Sequence, residues 1–275
     1  MPEKGRTMTA DLFTRLDGVE FSARAIDIDT GEEVFSHEPD RVLSTASIAK
    51  IFLLHAALKM KNNGELRLDE RLTRNAAERV DESGIWYLLD QPDLTIHDVG
   101  MLIGAFSDNF ATNVLISRVG LDRVAKEVEA LGYKDSALHD FLRWPRPAGA
   151  PRRLSSGTAY ELSDYMARLS RDELFDPMTS EMMRRWLGAG ADTSMVASYF
   201  EPDPLAHYYY TRGEWIVNKT GTDSSVRADT GIAFTRERRV AYAVFANWAA
   251  DEDRVLEVMP IMREAGGLIS AHLHA

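Results

Sequence analysis

The chain predicts a fold of the α/β plus all-α class: an antiparallel sheet built from both termini and flanked by terminal helices, with a helical domain inserted between its halves. Two observations carry this expectation. Strand-like sequence occurs only near the two ends of the 275 residues, and the stretch between reads as a succession of helices. The division it implies is an α/β domain of residues 1–43 and 213–275 around an α-helical domain of residues 44–212.

Taken in order, residues 10–16 read as a short helix. Residues 20–29 (EFSARAIDID) alternate apolar and polar, the period of a half-buried strand. Asp29-Thr30-Gly31 is a turn signal, and residues 33–36 supply a second strand, so the pair forms a hairpin. Residues 47–61 (SIAKIFLLHAALKMK) are apolar around most of a helical circumference, as in a buried helix. Residues 95–105, 109–119, 121–131, 158–169 and 178–187 follow as helices of ordinary length. Residues 215–217 then lead into Lys219-Thr220-Gly221 at a strand end. Residues 230–234 and 239–248 are rich in β-branched and aromatic residues, and residues 251–272 close the chain as an amphipathic helix. Two stretches are irregular: the proline-rich residues 145–151, and residues 189–212, where Tyr208-Tyr209-Tyr210 either shape a substrate site or only pack.

Composition narrows the functional classes. With 45% hydrophobic residues the chain can bury a large core, yet no apolar run approaches the length of a membrane span. A formal charge of −11 argues against nucleic acid and anionic membranes as partners. There is no cysteine, which removes disulfides, thiolate metal sites and thiol nucleophiles together. The seven histidines are scattered without metal-ligand spacing, so neither metal nor cofactor is expected. The opening MPEKGRTMTADL has no apolar leader core, consistent with a cytoplasmic protein or an exported one whose leader is already removed. A monomer acting on a small-molecule substrate is the default.

Three strings narrow the chemistry: Ser47-Ile48-Ala49-Lys50, Ser107-Asp108-Asn109 and Lys219-Thr220-Gly221, in that order. One S-x-x-K is expected by chance in roughly every chain of this length, but each tripeptide only ~0.05 times. Serine becomes a nucleophile when a base takes its proton. Ser47 and Lys50, three apart, share a helical face, and lysine serves as base when burial or a nearby cation lowers its pKa. Ile48, Ile51, Phe52, Leu53 and Leu54 supply apolar flanks, and the first helical turn favours a developing anion at Ser47. By itself the string describes equally well a capped helix with a surface lysine. Ser107-Asp108-Asn109 lies between two predicted helices, where it projects side chains into a cleft or simply caps the second helix. Lys219 can hold an anionic group, Thr220 can donate to it and Gly221 permits close backbone approach; a solvent-facing edge strand is the bland alternative.

Together these residues resemble the serine β-lactamase and penicillin-binding protein superfamily, specifically its class A branch, whose motif set they spell. The likeness extends over nearly the whole chain. Residues 107–116 (SDNFATNVLI) resemble that family's S-D-N helix, and residues 154–162 (LSSGTAYEL) the approach to the helix after the Ω-loop. The resemblance implies a β-lactamase/transpeptidase-like fold with the active site in the groove between the domains. It further implies Ser47 as the acylated nucleophile, Lys50 as base or proton relay, and Ser107 as the proton donor to the leaving nitrogen, supported by Lys219. Asn109 would hold the substrate's amide carbonyl, the N–H groups of Ser47 and Thr222 the oxyanion, and Thr220, beside Gly221, the substrate carboxylate. Arg227, in Arg227-Ala228-Asp229, would be a second carboxylate anchor, with a structural pairing to Asp229 or another carboxylate as the alternative.

One part of the pattern is missing. The family's Ω-loop glutamate, in an E-x-x-L-N string, activates the water that releases the acyl group. Here Arg143-Trp144 resemble the residues before it, Pro145 stands in its place, and the loop is several residues short. Asp140 and His139 are the only nearby substitutes, each equally suited to a loop role. The expectation is a serine hydrolase acylated by β-lactams or related amides and esters, with slow deacylation. The alternatives are a D-alanyl peptidase or esterase like the penicillin-binding proteins, or a catalytically silent binding protein.

Overall fold

A computed structural model describes residues 11–203 and 213–275. Strand β1 (Glu20–Asp27) and β2 (Glu33–His37) form the expected N-terminal hairpin, with a register shift between Ala25 and Ile26. The other three long strands are C-terminal: β7 (Trp215–Asp223), β8 (Val226–Phe234) and β9 (Arg239–Asn247). They join in one antiparallel sheet of order β2-β1-β9-β8-β7, so the two ends of the chain meet where β1 pairs with β9, Ser22 opposite Phe245. Two short pairs lie between: β3 (Arg71–Thr73) with β4 (Asp93–Thr95), and β5 (Ala137–Leu138) with β6 (Ser155–Ser156).

The helices follow the apolar patterning. Helix α1 (Lys50–Asn62) buries ten of its thirteen residues and runs through the centre of the helical region. Around it lie α2 (Ile96–Phe106), α3 (Asn109–Val119), α4 (Leu121–Ala130), α5 (Ala159–Ser170) and α6 (Pro177–Gly188). Their starts are set by side chains that accept from the first turn: Thr95, Asp108, Thr158 and Asp176 each cap one of these helices. Helix α5 lies on β1, β8 and β9, covering one face of the sheet. Helix α7 (Val255–Leu273) covers the other, with Leu12, Phe13, Met195 and Phe200 completing that layer. No helix among the described residues is long and apolar enough to cross a membrane.

The structure corrects several sequence expectations. Of the helix expected at 10–16, only Asp11 and Leu12 are helical among the described residues, and residues 13–18 are turns and bends. The helix expected from Ser47 starts at Lys50, because residues Ala46–Ala49 form a tighter 3-10 turn entered through Ala46 at φ +46°. Lys219-Thr220-Gly221 lies inside β7, not at its end, and β8 begins at Val226, so Ser224 and Ser225 make a tight hairpin. The last helix begins at Val255, after a turn in which Asp253 accepts from the Val255 N–H. Tyr208-Tyr209-Tyr210 lie outside the described residues.

Candidate active site

The three motifs converge on one groove of about 1020 Å³, lined among others by Ser47, Ser107, Asn109, Lys219, Thr220 and Thr222. Each arrives on a different element. Ser47 sits in the 3-10 turn Ala46–Ala49. That turn is fixed from below by β6, where Thr45 Oγ1 donates to Ser155 Oγ (3.1 Å) and Ser155 Oγ donates to the Ala46 carbonyl (2.8 Å). Strand β7 fixes it from the side. A Cβ on Gly221 would stand 2.1 Å from Thr45 O and 3.1 Å from Ser47 N, so only glycine lets strand and turn meet.

Ser107 ends α2 in the left-handed region (φ +52°), which turns its hydroxyl sideways into the groove. Asp108, fully buried, caps α3 by accepting from Ala111 N (2.8 Å). Its other oxygen accepts from Ile85 N (2.7 Å) and Trp86 N (2.8 Å). Thus the middle residue of the motif ties down a loop twenty residues upstream. Gly84 permits this, since a Cβ there would strike the Asp108 carboxylate at 2.2 Å. Six non-glycine residues have positive φ among those described, and Ala46, Glu82 and Ser107 all line this groove. Strain of about 1–3 kcal/mol per such residue is characteristic of functional sites.

Lys50 is 1% exposed. Its Nζ donates to the Ser107 carbonyl (2.6 Å) and to Asn109 Oδ1 (2.7 Å), and lies 3.2 Å from Ser107 Oγ. Burial first, then the nearby Lys219 cation, hold its pKa well below the ordinary lysine value, while Asp108 opposes them. In the neutral form of the amine, these two acceptor-only oxygens use both N–H bonds. The remaining lone pair is then available to a hydroxyl. Lys219 is buried at 3% exposure and donates to the Thr220 carbonyl (2.8 Å); burial brings its pKa down to about 8, with Asp192 and Asp229 opposing. It remains the cation of the site at neutral pH.

Arg227 departs from its expected role. It pairs with Thr222 in the β7–β8 ladder, but its Nη1 donates to the carbonyls of Asp223 and Val226 (2.7 Å each), and its guanidinium lies 5.9 Å from the Trp248 ring. It therefore braces the hairpin and does not line the groove. Nor does it pair with Asp229, which instead accepts from Asn218 (3.0 Å) and Tyr242 (3.1 Å).

The loop at residues 139–153 forms one side of the groove. Asn113, one turn beyond Asn109 on α3, holds this loop: it accepts from Leu142 N (2.9 Å) and donates to Leu142 O (2.7 Å) and Glu78 O (3.1 Å). Asp140 accepts from Phe141 N (2.8 Å) and lies within 3.5 Å of the Arg143 guanidinium, while His139 Nε2 is 2.9 Å from Ser156 Oγ. Neither lines the groove. Glu82, Ser83 and Asp192, which do, carry no motif by which sequence reading could have found them.

Comparison with known proteins agrees with this geometry. A model of the beta-lactamase enzyme family matches residues 7–273. Among solved structures, a beta-lactamase from Sphaerobacter thermophilus DSM 20745 is 24% identical with a TM-score of 0.84, the match covering 100% of this chain and 98% of that one. PBP-A is 17% identical with a TM-score of 0.83 over 99% of this chain and 97% of its own. A class A beta-lactamase from Mycobacterium abscessus is 19% identical with a TM-score of 0.82 over 98% and 100%. At these identities the structural likeness establishes the fold. No curated protein matches the chain.

Proposed function

We propose, from the premise that this chain belongs to the beta-lactamase enzyme family, that this serine β-lactamase-like hydrolase is acylated at Ser47 and releases the acyl group slowly. The observation that carries the first half is the Lys50 arrangement. A buried amine whose pKa is held well down, with both N–H bonds of its neutral form engaged by Ser107 O and Asn109 Oδ1, is a base with one free lone pair. It takes the Ser47 proton as Oγ attacks the substrate carbonyl, and the N–H groups of Ser47 and Thr222 receive the developing oxyanion. Ser107 passes a proton to the leaving nitrogen, Lys219 keeps that end of the groove positive, and Thr220 binds the substrate's carboxylate. Asn109 serves twice, as an acceptor for Lys50 and as a contact for the substrate amide.

The second half rests on the loop. Deacylation needs a base beside the acyl carbonyl, and residues 141–153 contain no carboxylate. Asp140 accepts from Phe141 N, His139 Nε2 lies 2.9 Å from Ser156 Oγ, and neither lines the groove in which water would be activated. A mutant of PBP-A is described as an acyl-enzyme complex with penicillin-G, and penicillin G is a fitting probe for this chain. Incubated with it, the wild-type protein gains the mass of one intact penicillin, and the adduct maps to the peptide containing Ser47. Ser47→Ala gains none. Adduct formation unaffected by Ser47→Ala would overturn the assignment.

A further inference from the structure

The loop that lacks a glutamate carries arginines in its place. Between Asp140 and Glu161 there is no acidic residue, yet Arg143, Arg146, Arg152 and Arg153 fall within eleven positions of a chain whose net charge is −11. All four line the groove that holds Ser47. Their partners within the protein do not match their charge. Asp140 lies 3.5 Å from Arg143 and 4.0 Å from Arg146, beyond hydrogen-bond distance from either. Arg146 Nη2 is buried without a hydrogen-bond partner, while Nη1 reaches only the Arg152 carbonyl at 3.4 Å. Arg153 donates to the Val42 carbonyl at 3.2 Å, and Arg152 is exposed. That nitrogen's nearest carboxylate is Asp140 at 4.0 Å, and a buried guanidinium nitrogen without a hydrogen bond is costly unless a ligand completes it. The imidazole of His139 registers the same field: its pKa is lowered by burial first, then by Arg153 and Arg146.

We propose that this arginine cluster is a subsite for a carboxylate on the acyl side of the substrate, in the same groove as Lys219 and Thr220. The planar guanidinium matches a carboxylate through paired N–H donors, and a desolvated site strengthens such bonds. The proposal rests on the acylation reading above for its substrate class: the preferred substrates are amides or esters whose acyl chain ends in a carboxylate, in place of the neutral side chain of penicillin G.

Two probes test it: 6-(glutarylamino)penicillanic acid and the methyl ester of its side-chain carboxylate. Binding is measured calorimetrically on Ser47→Ala protein, so the result does not depend on acylation being correct; failure of that reading shows separately, as absence of adduct on the wild type. The free acid binds about tenfold or more tightly than the ester, and the ratio shrinks at high salt. Adding Arg146→Gln or Arg152→Gln to Ser47→Ala brings the ratio toward one; Arg152 is exposed, so its replacement keeps the test open if the Arg146 variant folds poorly. Equal affinities, tighter binding of the ester, no binding of either probe, or a ratio unmoved by both arginine variants would each overturn the subsite.

Discussion

Lys50 and Lys219 are both buried lysines with lowered pKa values, but their neighbours differ. Burial and the Lys219 cation hold Lys50 well below the ordinary lysine value, whereas Lys219, brought down to about 8, is still charged at pH 7. The proposed roles follow this difference: proton transfer for the first and electrostatic support for the second. The sign of the pH effect then differs between activity and stability. As pH rises through about 8, folded Lys219 loses its proton while the unfolded side chain, titrating at 10.5, keeps it. The unfolded state then binds more protons, so this group's contribution to stability rises with pH between about 8 and 10.5. Acylation does the reverse: its second-order rate constant falls about tenfold per pH unit above about 8, as the supporting cation disappears. Stopped-flow acylation from pH 6.5 to 9.5 checks this; a rate constant that is flat or rising across pH 8 contradicts it.

Among the elements, strand β7 and helix α3 do most to assemble the groove. Gly221 lets β7 close on the nucleophile turn, and Gly221→Ala drives a Cβ to 2.1 Å from a backbone oxygen that cannot rotate away. Such overpacking costs roughly 1–3 kcal/mol. Because the displaced atoms neighbour Ser47, the acylation rate drops by tenfold or more, a larger effect than the change in melting temperature alone would suggest. Asn113 ties α3 to the 139–153 loop through two hydrogen bonds to Leu142, and Asn113→Ala leaves the Leu142 N–H and carbonyl without this partner. The expected loss is about 1–3 kcal/mol, read as a melting temperature lower by several degrees, with protease cleavage shifted into the loop. These elements also mark how far sequence reading reached. Helix α3 was legible to its ends because its cap and apolar rows are local, and the three motifs that meet at one groove were legible as strings in the sequence. The Asp108 bonds to residues 85 and 86 were not, since a capping aspartate looks the same whether or not its second oxygen holds a distant loop. Arg227 was misplaced for a related reason: its strand position permitted a groove role, and only the tight Ser224–Ser225 turn, which brings the Asp223 and Val226 carbonyls within its reach, decided otherwise.

At the scale of the whole molecule, the sheet assembled from both chain ends and the helices inserted between them create one groove in which acylation and hydrolysis draw on different walls. The residues proposed for acylation come from the 3-10 turn, the start of α1, the α2–α3 junction and β7. The wall from which a deacylating base would act is the 139–153 loop, and the side chains it brings to the groove are Leu142, an exposed Trp144 and four arginines, while His139 and Asp140 do not line it. Such a cationic lining favours holding an anionic acyl chain over activating a water against it. The central claim is this separation between forming and resolving the acyl-enzyme. Rapid mixing with a chromogenic cephalosporin tests it most directly. The account predicts a burst of ring opening equal to one equivalent of enzyme, followed by a steady-state rate at least a hundredfold slower than the burst. Fast linear turnover without a burst, or no ring opening at all, would contradict it.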